Sequence, residues 1–272
     1  MMRRTQRNIW HSPVAGSLLT VGGLVGCGSD PAEPAVMAVP TPESDMSMAA
    51  GEGEGVAEAV SLDSDDIAYL TQIGLMRGHL WVGHQLYLNE LPALSATHMK
   101  HPKAELYSTL VHAFAQRGVD GFAPALSRLS ELVSNRQSTD VVQEAYDALQ
   151  ERIRQSENGA DVHSAKVIGM VIVGLLRTAG EEYAVGVVDG EINNVHEYQD
   201  ALGFTQIARQ WASSSVFAAD AEAVAAAAFI QSTLDSLLVL WPELAPDGGV
   251  SFSAAQIYGA AAQIELRVLG LH

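Results

Sequence analysis

The sequence predicts an all-α fold: a helical bundle of about seven or eight helices behind a disordered N-terminal tether. Three observations predict it. Apolar residues recur at helical spacing from residue 66 onward. Capping residues, prolines and glycines fall where such segments should start and stop. Alternating, β-branched strand patterns are almost absent.

The chain divides into residues 1–26, 27–61 and 62–272. The first stretch carries Arg3, Arg4 and Arg7, then a mostly apolar run from Pro13 to Val25. That run is too short and too rich in glycine for a spanning helix, which needs about 20 apolar residues. Its charge, length and small-residue end are those of a secretory signal. The second stretch contains Gly-Ser-Asp-Pro-Ala-Glu-Pro, Val-Pro-Thr-Pro-Glu-Ser and Gly-Glu-Gly-Glu-Gly. It has no apolar period and reads as a flexible spacer.

The helices begin after Asp63. Ser64-Asp65-Asp66 supply an N-cap and acids at the positive end of a helix dipole. A helix over 66–91 should stop before Pro92, and one over 102–117 should start at Pro102, ended by Gly118 and Gly121. Further helices are expected over 122–135, 138–157, 162–188, 192–214, 218–241 and 253–269. The stretch Val167 to Leu176 is apolar on every face, as befits a central buried helix. Gly169 and Gly174 within it should mark close helix approach.

Cys27 is the single cysteine of the chain. Disulfides within the chain and thiolate metal sites are therefore excluded, and any metal must be held by His, Glu, Asp, Met or Tyr. The formal net charge is −17. Loss of residues 1–26 would leave 12 basic against 32 acidic residues, a charge of −20. Such a surface repels nucleic acid and attracts cations. No nucleophile elbow, Walker loop, dinucleotide-binding glycine motif or paired-acid signature occurs, so the chain does not read as an enzyme.

Two groups of residues carry metal-binding chemistry. Five histidines lie between residues 79 and 112: His79, His84, His98, His101 and His112. Imidazole suits iron, copper and zinc. His98 and His101 flank an expected turn and can face one point. His79 and His84 are five residues apart, about 140° around a helix, so they cannot serve one ion from a regular helix. The second group is Glu181, Glu182 and Tyr183, brought back by the Val188-Asp189-Gly190 turn toward His196-Glu197-Tyr198. The candidate ligands are His79, His84, His98, His101, Glu181 and Glu182, with iron favoured and copper second. The same residues also fit a structural role: core histidines, and acids in an ion-pair network with Arg177 and Glu181 as i, i+4 partners. On that reading the chain is a metal-free helical interaction module.

Leu24-Val25-Gly26-Cys27 resembles the lipobox of bacterial lipoproteins. The resemblance implies signal-peptide cleavage and lipidation (palmitate among the acyl groups) at Cys27. It also implies a membrane anchor on the periplasmic side, and Gly28 and Ser29 favour the outer membrane. The stretch Glu181 to Phe204, with its acidic-Tyr, Val-Val-Asp-Gly and Glu-Tyr elements, resembles the helical periplasmic segment of oxidase-dependent iron permeases. That implies a metal-handling accessory with a metal-transport protein as partner. Gly78-His79 is similar, more distantly, to a Gly-x-His-x-x-Glu motif of imelysin-like periplasmic proteins; Val82 stands where that motif has its glutamate.

Cys27→Ser is expected to accumulate as an unprocessed or soluble precursor. Fractionation of cells checks this: normal processing with full membrane partitioning of the variant would refute lipidation.

Overall fold

A computed structural model of the chain describes residues 61–271. The segments expected to be a signal sequence and a tether, with Cys27, fall outside these residues, as does the His101 side chain. Among the described residues there are nine α-helices: α1 (Asp66–Leu88), α2 (Pro92–His101), α3 (Tyr107–Arg117), α4 (Ala123–Ser134), α5 (Thr139–Glu157), α6 (Ala165–Gly186), α7 (Val195–Ala212), α8 (Ala221–Leu237) and α9 (Ala255–Leu269). Two strands of two residues each, β1 (Val187–Val188) and β2 (Glu191–Ile192), pair antiparallel.

Local chemistry explains the boundaries. Asp65 caps α1 by accepting the Ala68 amide at 2.9 Å. Ser164 caps α6, Asn194 caps α7 and Asp220 caps α8 in the same way. Each such cap satisfies an amide that the helix itself leaves without an acceptor. Gly118 ends α3 in the left-handed region, at φ +66°. Asp189 (φ +52°) and Gly190 (φ +83°) both take positive φ, as a tight hairpin turn requires, so the α6–α7 connection is a miniature β-hairpin.

Two expectations are corrected. The stretch between Pro92 and His101 is no connection; Pro92 opens α2, where its missing amide costs nothing. Pro102 starts no α-helix. It begins a π-helical turn, Pro102–Leu106, that joins α2 to α3.

α1 runs through the middle. It packs on α6 and α7 on one side and on α2 and α5 on the other. α6 pairs with α7 and α9, and α8 closes against α9 and α7. α6 is buried along its apolar run, with Ile168, Val171, Ile172, Val173, Leu175 and Leu176 all inaccessible. Residues Ala221–Leu240 are long and apolar enough to cross a membrane by length and composition. Here α8 buries Ala223, Ala226, Ile230, Leu234 and Leu237, a helical stripe turned to the bundle.

Glycines set the closeness of the central helices. A Cβ on Gly203 of α7 would stand 2.5 Å from the Gly78 carbonyl oxygen of α1, and one on Gly78 would stand 2.4 Å from the Phe204 ring. A Cβ on Gly174 would meet Thr71 at 2.9 Å, and one on Gly169 would meet Val268 at 2.5 Å. Both α6 glycines flagged in the sequence therefore lie at helix contacts.

Gly203→Ala is expected to destabilise the protein by roughly 1–3 kcal/mol, because the obstacle is backbone and the two helices must part. Gly259→Ala, where a Cβ meets nothing within 4 Å, should be neutral or stabilising by up to about 1 kcal/mol. Urea unfolding of both variants checks the pair; equal effects would refute the tight α1–α7 crossing.

Candidate metal centre

The Gly78–Gly203 crossing places His79 beside the second turn of α7. His79 Nδ1 lies 2.6 Å from Asp200 Oδ1. α2 comes in from the side, against Gly83 of α1, where a Cβ would meet the His98 Cβ at 3.2 Å and Met99 at 3.0 Å. His98 Nδ1 thereby reaches the same Asp200 oxygen at 3.0 Å. His79, His98 and Asp200 are 3, 1 and 2 % exposed. Their donor atoms all lie within 4.8 Å of one another, and they form a group from three different helices.

The surroundings fix each ring. His98 Nε2 donates to Gln199 Oε1 at 2.9 Å, and the Gln199 amide is oriented by its own donation to the Leu244 carbonyl at 3.0 Å. Gln199 Oε1 can only accept, so the Nε2 edge of His98 is the donor to it, and the Nδ1 edge faces the Asp200 carboxylate. Leu244 belongs to a segment held over the start of α7. Tyr198 donates to the Glu243 carbonyl and Trp241 donates to the Tyr198 carbonyl, both at 2.9 Å. The Phe204 ring meets His79 edge-on at 5.1 Å, closing the apolar side.

Burial pushes the Asp200 carboxyl toward its neutral form, but the charges and hydrogen bonds of His79 and His98 overrule it and hold Asp200 well below the usual carboxylate range. The group is therefore a fixed anion between two imidazoles. Ligand atoms about 2.1 Å from an ion stand about 3–3.5 Å apart, so the two observed separations need only slight opening to admit one. The donor set, two imidazoles and one carboxylate, is the one non-haem iron(II) sites use. The Nε2–H···Gln199 bond orients the ring and would leave Nδ1 as the His98 atom able to ligate an ion, as partners of metal-bound histidines do.

The remaining sequence candidates lie as follows. His84 is buried on the other side of α1, stacked on Tyr146 at 4.1 Å with a 7° interplanar angle. His101 closes α2. Glu181 is exposed and Glu182 is 4 % exposed, both on α6. Arg177 does not pair with Glu181; it reaches across to Glu265 of α9 at 2.7 Å. His112 is exposed and pairs with Asp63 at 2.9 Å. Asp200 was not singled out. Its signal was its place in the Glu-Tyr-Gln-Asp run, four residues after His196 on one helix face.

A second buried ion pair lies further along α1. Arg77 donates to Glu157 Oε1 at 2.8 Å and to Gln210 Oε1 at 2.7 Å, with its guanidinium 5.8 Å from the Trp211 ring centre. Burial raises the Glu157 carboxyl, and Arg77 works against that rise.

The architecture is thus a helical bundle around a buried histidine–carboxylate group. Residues 159–269, which span α6 to α9, match the family model of the iron permease-associated 4-helix bundle domain. The likeness of residues 181–204 to an iron-permease segment falls within this match. No curated protein and no solved structure matches the chain.

Burial lowers the affinity of the His84 ring for a proton; the Asp147 charge and a hydrogen bond with Gln143 oppose this less strongly. The neutral ring is thus favoured in the fold. Its contribution to stability is complete above the unfolded value of about 6.5 and is lost as pH falls below it. In metal-free protein, stability should fall between about pH 7.5 and 5.5, by less than about 1.4 kcal/mol per pH unit. The His84→Phe variant should lose less over the same range. Parallel slopes in denaturant titrations would refute it.

Proposed function

We propose that the chain is a lipid-anchored protein on the periplasmic side of a bacterial membrane that binds iron as cargo and serves iron uptake or homeostasis. The observation that carries this reading is the convergence of His79, His98 and Asp200 on one buried point. Asp200 comes from the bundle that matches an iron permease-associated family. Copper is the second cargo, since imidazoles suit it, but a carboxylate in the set favours iron. Anchoring rests on Cys27 and its flanks, the outer membrane on Gly28 and Ser29. A partner protein that transports metal follows from the same family likeness. The chain is proposed to have no catalytic activity of its own.

One observation favours a second reading, a metal-free interaction module. Both nitrogens of His98 already have protein hydrogen-bond partners, so the group can satisfy itself as a structural polar cluster. The two readings differ in what a metal does. Histidine ligands must be free of the proton to bind, so metal binding should weaken as pH falls.

The full chain in detergent is expected to bind one iron(II) ion under anaerobic titration, with higher melting temperature as metal is added. Binding should be weaker near pH 5.5 than near pH 7.5, and lost in His98→Ala and Asp200→Asn. If neither iron nor copper shifts the melting curve well above micromolar concentration, the interaction-module reading stands instead.

A further inference from the structure

We propose that Glu182 and His196 complete the metal centre, making it a set of three imidazoles and two carboxylates that takes a hard or borderline cation. This rests on the metal-binding reading above.

The placement of Glu182 follows from helix register. α1 and α7 run antiparallel: Arg77 meets Gln210, Gly78 meets Phe204 and His79 meets Asp200. α6 and α7 also run antiparallel, joined by the hairpin, so α1 and α6 run parallel. Their contacts fix the offset. Thr71 stands against Gly174, and Gly74 against Leu175. Continued along two parallel helices, that offset brings residues 180–182 of α6 level with His79. Glu182 lies seven residues after Leu175, which is two turns on and on nearly the same face. It also lies four residues before Gly186, where a Cβ would stand 2.5 Å from the Tyr198 amide nitrogen of α7. The Glu182 side chain thus belongs to the stripe that faces both α1 and α7, at the level of His79 and Asp200. It is 4 % exposed.

His196 lies four residues before Asp200, one turn earlier on the same face of α7. Its ring centre is 5.3 Å from that of His98. It is half-buried while His79, His98 and Asp200 are buried. This makes it the ligand on the solvent side, where an ion enters.

The charge balance argues for the same set. Asp200 alone leaves a divalent ion with a net positive charge in a buried site, which is costly. A second carboxylate brings a divalent centre to neutrality and leaves a trivalent one with a single charge. Two carboxylates with imidazoles suit iron and disfavour copper(I), which selects soft sulfur ligands.

The test uses the full chain with cobalt(II) as the spectroscopic probe and iron(II) for affinity. Wild type should give the weak visible absorption of a five- or six-coordinate cobalt ion. Glu182→Gln and His196→Ala should each bind iron(II) at least about tenfold more weakly and change the cobalt spectrum, with far-ultraviolet circular dichroism unchanged. An intense four-coordinate cobalt spectrum in wild type overturns the proposal without any variant. Unchanged affinity and spectrum in both variants also overturn it, while leaving the His79–His98–Asp200 site intact. Failure of wild type to bind either metal sinks the metal-binding reading itself.

Discussion

The close crossing of α1 and α7 at Gly78 and Gly203 is the constraint on which the rest depends. No Cβ stands between the two backbones, so the helices touch main chain to main chain. A short carboxylate on α7 can then reach a histidine on α1. Each helical glycine costs about 1 kcal/mol relative to alanine. Packing offsets that cost where the glycine meets a neighbour, as Gly74 meets Leu175, Gly174 meets Thr71 and Gly186 meets α7. The three central helices are thereby drawn to one junction, and the histidine–carboxylate group sits at it.

A group so buried does not pay for itself as a stabiliser. Replacing a buried ionic group with apolar residues of similar volume is often neutral or favourable to stability. The fold nevertheless surrounds Asp200 with two imidazoles, orients one of them through Gln199, and fixes Gln199 against the Leu244 carbonyl. That is orientation carried outward through two shells of hydrogen bonds. The Arg77–Glu157 pair shows the simpler solution the same helix uses elsewhere: one cation, one anion and a flanking Trp211 ring.

Much of the fold was legible because it is written locally. Asp65 starts a helix, Gly118 stops one, and the Asp189-Gly190 turn sits where its residues predict. The α2 helix was not legible, because a proline that ends one helix and a proline that opens the next look alike in sequence. Pro92 does the second, three residues after the chain has left α1 at Leu88. The separation of His79 from His84 was readable as an angle around α1, and the structure sends His84 to Tyr146. The meeting of His79 with His98 and Asp200 was not readable. It is made by an α1–α2 contact at Gly83 and an α1–α7 contact at Gly203, and neither has a local signature.

The boundary of the family match divides the centre. Asp200, with Glu182 and His196, lies in the matched bundle of α6 to α9, whereas His79 and His98 come from α1 and α2 before it. α1 packs on α6 and α7 of the matched bundle, Gly74 against Leu175 and Gly78 against Phe204. Without α1 and α2, Asp200 would keep its carboxylate but lose both imidazoles that hold it ionised against burial. The N-terminal helices therefore do more than extend a bundle. They surround a buried acid of the matched domain with nitrogen donors, and in the proposed centre the donor set, not the bundle, would decide which cation fits.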